Sequence, residues 1–460
     1  MNPVSLLGHC MELLSQIERS RSTPADTLTR EYVRSRKYLG AKERRAISEI
    51  VFATLRTKNT AEILTRRYLD TVCLTQPTSA LASLMGSVAA VAPAWTSFEP
   101  TQVLDVAAGE QTEPARALTA LYNRTTGSDL PTNWATELRT LLGQLDWRDG
   151  SITQVSLAAC LPEWMVESLH AGGMESKDIV ALGRAFMHAA PLVIRSAHND
   201  QSREALLAKL THDGIVAHPA TLSPSGLVIE QRTYLLDHPL YRNGAIEVQD
   251  EGSQLVAFAL APEEHWRILD ACAGAGGKTL HLAQLQRDRG LIVATDGDPK
   301  RLRLLARRLR RHQFRSIHIT HHGTHSARLL REESYDAVLL DVPCSGTGTL
   351  RRAPEIKWRL SRRQLDRIVA KQRQILEENY RYVRPGGVLL YVTCSILPEE
   401  NHEVVADFLK HHPEFVPDPI AHAFARYHIP LSLLPDQWQL QLMPHLHGTD
   451  GFYIARLRRR

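Results

Sequence analysis

The stretch from Arg267 to Thr279 reads RILDACAGAGGKT, and its reading decides the fold. An apolar strand, Arg267–Ala271, runs into a glycine-rich turn, and the residues beyond the turn suit a helix. Glycines in such a turn let the backbone approach a ligand closely. Working outward, further strands are expected at Leu291–Thr295, Ser316–Thr320, Asp336–Leu340 and Val388–Thr393. Helices fit between them, notably Lys300–His312 and Ser361–Tyr382. Strand–helix alternation of this kind predicts an α/β fold with a Rossmann-like, doubly wound, mostly parallel sheet. Ligands of such sheets sit at the carboxyl ends of the strands.

Three ligand classes compete for the turn. A Walker A loop needs glycine where Cys272 stands, and a dinucleotide fingerprint needs glycine where Thr279 stands. Both fail by one residue. The third class is S-adenosylmethionine, held by a glycine-rich turn after the first strand and by an acid after the second. Asp296 follows the second strand at the right reach for ribose hydroxyls. Asp298 is a near competitor, and Asp296 would alternatively serve as a helix N-cap before Pro299.

Upstream of Gly244 the pattern changes. Apolar residues recur at helical spacing from about Leu6 to Leu138, as in Ile47, Ile50, Val51 and Leu55. A mixed region then offers a strand at Val193–Ser196, a helix at Ser202–Asp213 and a second strand at Gly214–Ala217. Three domains are expected: helical over 1–145, a small α/β connector over 146–243 and the sheet domain over 244–460. A chain of 460 residues exceeds one ordinary domain.

Composition narrows the classes further. With 43% hydrophobic and 23% charged residues the chain reads as soluble and globular, with no run long enough to span a bilayer. Met1–Ser20 carries His9, Glu12, Glu18 and Arg19 and reads as an amphipathic helix, so a cytoplasmic location is expected. The net charge is only +5, but Arg clusters in Lys300–Arg311 and Arg351–Arg373. Clustered Arg suits phosphate contact, against the plainer reading of a solvated helix face. The six cysteines form no CxxC pair and no zinc-like spacing, so neither metal nor disulfide is expected.

Two of those cysteines end strands. Asp341-Val-Pro-Cys-Ser-Gly-Thr-Gly348 closes one, and Thr393-Cys-Ser395 closes another, with Pro398-Glu-Glu-Asn401 following. In a doubly wound sheet both face one crevice. Cytosine C5 will not attack a methyl donor unaided, but a thiolate added to C6 makes C5 nucleophilic. Only the thiolate is competent for that addition.

The segments DACAGAGGKT, DVPCSGTGTLRRAPEIKW, YVTCSILPEEN and HGTDGFYIARL resemble the Nop/Sun family of RNA 5-methylcytosine methyltransferases. Within it the bacterial Sun (RsmB-like) small-subunit rRNA enzymes are the nearest type. The resemblance covers Gly244 to the C-terminus, and more loosely GAIEVQDEGSQL. LGAKERRAISEIVFATLR, from Leu39 to Arg56, is similar to the NusB-like helical domain of Sun proteins. The resemblance implies a class I methyltransferase domain using S-adenosylmethionine and acting on RNA. It implies Cys394 as the nucleophile and Cys344 as the thiol that assists product release. Asp341 would contact the cytosine edge and lie near the cofactor methyl, and Lys278 would line the same pocket. Cys272, Ala273, Gly274, Ala275, Gly276, Gly277 and Lys278, with Asp296, would hold the cofactor.

Two departures stand out. The family's loop commonly reads CAAPGGK, where Gly274 and Ala275 replace Ala-Pro here. At the end of the third strand, Thr320-His-His-Gly323 replaces an acidic or amide residue, making His322 the expected adenine contact. Arg351, Arg352, Lys357 and Trp358 follow the Cys344 loop, and basic residues beside an aromatic suit a stacked single strand. Ordinary packing is the alternative for Trp358. Arg456–Arg460 reads as a solvated tail touching phosphate. The expected protein is a monomer acting on an unpaired cytosine of ribosomal RNA. The rival readings are a tRNA cytosine-C5 enzyme, an amino-group methyltransferase and a non-catalytic RNA-binding assembly factor.

Overall fold

The computed structural model describes residues 2–90, 113–197, 202–230, 233–320, 329–430, 432 and 438–460. The chain forms two compact units: Met1–Ala189 with Thr349–Ser361, and Ala190–Gly348 with Arg362–Arg460.

The first unit is helical. Its longest element is Ala41–Thr71, and Ser79–Ala90 packs along it. Leu7, Leu13, Ile47, Leu55, Leu84 and Trp134 are among the side chains buried in its core. The expected boundary at residue 145 is corrected. Helices Ile152–Ala159, Glu163–Ala171 and Ser176–Met187 continue the helical unit, because their apolar faces pack on one another and on Ala41–Thr71.

The second unit holds two sheets. The smaller comprises β1 (Leu192–Ser196), β2 (Ala217–Pro219), β3 (Gly226–Ile229) and β4 (Ile246–Val248), all antiparallel in the order β2-β3-β1-β4. The expected strand at Gly214–Ala217 begins three residues late, because Gly214 takes a positive φ and its N–H closes the preceding helix on Thr211.

The larger sheet starts with β5 (Arg267–Asp270), β6 (Leu291–Ala294), β7 (Ile317–Ile319), β8 (Tyr335–Asp341) and β9 (Val383–Thr393). It is completed by β10 (Phe415–Pro417), β11 (Gln439–Leu442) and β12 (Phe452–Arg459). The order is β7-β6-β5-β8-β9-β12-β10, with β11 paired to β12. The pairs from β7 through β9 are parallel, and β12 enters antiparallel. The strand order reverses at β5, so the crevice opens beside its carboxyl end. Ile268, Ile292, Val338 and Leu390 are fully buried, as a sheet covered on both faces requires.

The chain end is therefore not a tail. Arg456 lies within β12, bonded to Asp418 at 2.7 Å and to the carbonyls of Ala259 and Leu260 at 2.7 Å each. Among the described residues no helix is long and apolar enough to cross a membrane.

Candidate active site

The glycine-rich turn leaves β5 and enters the helix Gly277–Leu285. Gly276 sits at φ +88°, and a Cβ there would run into Leu305. Glycine is thus required both by backbone conformation and by packing. Arg308 steadies the turn from the helix Pro299–His312, donating to the Ala275 carbonyl at 2.9 Å. That helix is itself anchored to the smaller sheet. Glu247, on β4, accepts from Arg308 Nη2 and from His312 Nε2, each at 2.5 Å, and from Arg311. Burial opposes the Glu247 charge, but the His312 bond and the two guanidinium groups hold its carboxyl down to about 2.

Asp296 stands just beyond β6 and is 9% exposed. One carboxylate oxygen accepts the Gly274 N–H at 2.8 Å and the other the Asp298 N–H at 2.7 Å. Asp298 is instead the helix cap, accepting from Lys300 N. The two acids thereby separate into a loop-holding residue and a cap, which spacing alone left open.

Asp270 went unnoticed in the sequence. It ends β5, is buried, and accepts from Thr279 Oγ1 at 2.7 Å through one oxygen. Among the described residues its other oxygen has no hydrogen-bond partner. Burial pushes its carboxyl up to about 7, against the Thr279 bond.

The ends of β8 and β9 bring together the candidate reactive groups. Lys278 Nζ donates to Asp341 Oδ2 at 2.7 Å. Burial pulls the ammonium down, but the adjacent Asp341 carboxylate outweighs this and leaves its pKa raised. The sulfurs of Cys344 and Cys394 lie 3.2 Å apart, and the Cys394 N–H reaches Cys344 Sγ at 3.3 Å. The Cys394 sulfur beside it and burial together push the Cys344 thiol well up. Gly348 closes the first loop on the second, donating to the Cys394 carbonyl and accepting from Gly451 N, both at 2.9 Å. A Cβ at Gly348 would collide with the Gly451 backbone.

One fully buried carboxylate ties these loops together. Glu400 accepts from Ser345 N at 2.8 Å, Gln372 Nε2 at 2.9 Å, Ser395 Oγ at 2.5 Å, and Ser345 Oγ. The run PEEN after Cys394 was visible in the sequence, but nothing local marked Glu400 as the tie.

The expected RNA contacts divide. All four lie in the segment Thr349–Ser361 of the helical unit. Lys357 is fully buried and donates to the carbonyls of Arg56 at 2.6 Å and Cys160 at 3.0 Å. Burial pushes its ammonium down to about 8. Arg351 is 6% exposed, and its carbonyl accepts from Arg56. Trp358 packs, half-buried, against the helical core. The reading of Arg351 and Lys357 as RNA contacts is thereby corrected, because both are interior. Arg352 is exposed. His322 lies outside the described residues. Among the described residues, no His, Cys, Asp and Glu group could hold a metal ion.

Residues 257–458 match the 16S rRNA methyltransferase RsmB/F family, and residues 161–235 match its ferredoxin-like domain. Ribosomal RNA small subunit methyltransferase B of Pasteurella multocida is 35% identical over 65% of this chain and 65% of its own length. The aligned part is thus a little under two thirds of that relative. The protein of the same name from Xylella fastidiosa strain 9a5c is 34% identical over 66% of this chain and 69% of its own. The crystal structure of PH0851 covers 100% of this chain and 99% of its own, with TM-score 0.71 and 24% identity. At that identity the likeness speaks for the fold alone.

Proposed function

Because the chain belongs to the RsmB/F family of 16S rRNA methyltransferases, we propose that it methylates cytosine C5 in RNA, with small-subunit ribosomal RNA as substrate and S-adenosylmethionine as donor. The observation that carries this reading is the pair of cysteine sulfurs, 3.2 Å apart at the ends of two adjacent parallel strands. An amino-group methyltransferase has no use for a cysteine nucleophile, still less for two.

The residues of the turn fit the donor. Cys272 through Lys278 supply a close backbone and Asp296 an acid fixed against Gly274, while the free oxygen of Asp270 leaves a buried acceptor open. S-adenosylmethionine supplies an electrophilic methyl group when bound. The chain's own groups do the rest. Cys394, as thiolate, forms a bond to C6 of an unstacked cytosine, and the electron pair of the 5,6 double bond makes C5 nucleophilic. Asp341, held by Lys278, presents its remaining acceptor capacity to the cytosine edge. After C5 is alkylated, the C5 proton passes to solvent water, its electron pair restores the 5,6 double bond, and Cys394 leaves as a thiolate. Cys344 keeps its proton at neutral pH, as its raised pKa requires, and is the adjacent thiol that assists release.

The test is a trapping assay with bacterial ribosomal RNA and labelled S-adenosylmethionine. Cys344→Ala accumulates a denaturant-resistant protein–RNA adduct, whereas Cys394→Ala forms none and transfers no methyl. Full activity in Cys394→Ala would sink the covalent mechanism and favour amino-group methylation.

A further inference from the structure

The helix Pro299–His312 carries seven Lys and Arg and no acidic residue. Two of its arginines, Arg308 and Arg311, turn inward to Glu247. The others do not. Of the other five, Arg301 is exposed but lies about 100° round the helix from Lys300. Lys300, Arg303, Arg307 and Arg310 are all exposed, and their spacing of three, four and three residues places them on one face. Leu304, 47% exposed, flanks that row. Among the described residues none of the four cations forms an ion pair with a carboxylate, in contrast to Arg362 and Arg373, which meet Glu399 and Asp407. The row spans about 15 Å at 1.5 Å per residue. It starts where the helix leaves Asp296, at the carboxyl-end rim of the sheet, and is fixed from behind by the Arg308–Glu247 bond and by Arg308 on Ala275.

Like charges held in a row cost self-repulsion, which a polyanion relieves. Their spacing of about 5–6 Å between neighbours matches successive phosphates rather than one isolated anion. Arg adds planar, bidentate recognition of phosphate oxygens. We propose that this face is a docking track for the phosphate backbone of the RNA that carries the target cytosine. The proposal rests on the RNA-methyltransferase reading above and adds where the strand lies. The track runs down the β6–β7 side of the domain, beside the cofactor turn.

The experiment compares the full chain with the fourfold variant Lys300→Gln, Arg303→Gln, Arg307→Gln, Arg310→Gln. A second variant with Arg303→Lys, Arg307→Lys and Arg310→Lys keeps the charge. Binding of a labelled small-subunit rRNA fragment is followed by anisotropy across a salt series, with S-adenosylmethionine binding by calorimetry. All four side chains are exposed, so both variants retain the melting temperature. The glutamine variant binds RNA at least about tenfold more weakly, and its slope of log affinity against log salt falls by about three. Its affinity for S-adenosylmethionine is unchanged, and the lysine variant recovers most of the RNA binding. Unaltered RNA affinity and salt slope in the glutamine variant overturn the track and leave the face to an acidic protein partner. A wild-type chain that binds no RNA overturns the underlying RNA reading instead.

Discussion

The Cys344 sulfur lies 3.2 Å from that of Cys394 and also accepts the Cys394 N–H at 3.3 Å. Two thiols so close cannot both ionise at low cost, and the pressure falls on Cys344, whose pKa is raised well above the ordinary value. Alkylation requires the thiolate. Iodoacetamide at pH 8 should therefore modify exposed Cys73 at least about ten times faster than Cys344, read by peptide mass spectrometry. Equal rates at the two sites would contradict a proton held on Cys344.

Glu400 makes a different prediction, because it touches neither thiol and holds both loops. Glu400→Ala leaves the donors on Ser345, Ser395 and Gln372 without their buried acceptor. The expected cost is about 3 kcal/mol of stability. Misplacement of the cysteines by even an ångström should lower turnover about a hundredfold. S-adenosylmethionine affinity should hold, since the cofactor turn is built by other residues. Calorimetric binding beside single-turnover methylation separates the two effects. A parallel loss of cofactor binding would show that Glu400 supports the whole domain rather than the cysteine loops.

Asp296 should act on the cofactor alone. It fixes the turn through Gly274 at 2.8 Å, and a charge-assisted bond of this kind contributes about 1.5–3 kcal/mol. Asp296→Ala should weaken S-adenosylmethionine binding about 10- to 100-fold, and Asp296→Asn less, as it keeps one acceptor. RNA affinity should not move in either variant. Titration calorimetry with the cofactor and anisotropy with RNA decide the matter, and wild-type cofactor affinity in Asp296→Ala would remove it from the site.

The parallel strands were legible because a sheet covered on both faces needs continuous apolar runs, and Arg267–Asp270, Leu291–Ala294 and Tyr335–Asp341 supply them. The pairing of Cys344 with Cys394 followed from the same rule, since both end neighbouring strands. What could not be read depends on partners distant in sequence. Arg456 looks like part of a solvated basic tail until Asp418 and two carbonyls neutralise it inside β12. Lys357 looks like a phosphate contact until the carbonyls of Arg56 and Cys160 take its ammonium. The strand expected at Val388–Thr393 begins five residues earlier, at Val383, where Tyr335 pairs with Val383 before the register shifts. Local chemistry marked Arg456 and Lys357 as polar, and only tertiary hydrogen bonding reversed that.

Asp270 carries a prediction in pH. Its carboxyl titrates near 7 in the folded chain, against an ordinary value of 3.8, because burial penalises the charge. Between those values the folded protein holds a proton that the unfolded chain has released. The contribution of Asp270 to stability is thus full below about pH 4 and is lost as the pH rises through 7. The slope is at most about 1.4 kcal/mol per pH unit for one proton. Asp270→Asn has no such proton to release. The stability difference between wild type and Asp270→Asn should therefore shrink steadily from pH 5 to 7 and level off above 7.5, in urea unfolding at each pH. A difference that stays constant across that window would mean that Asp270 is ionised in the folded chain throughout.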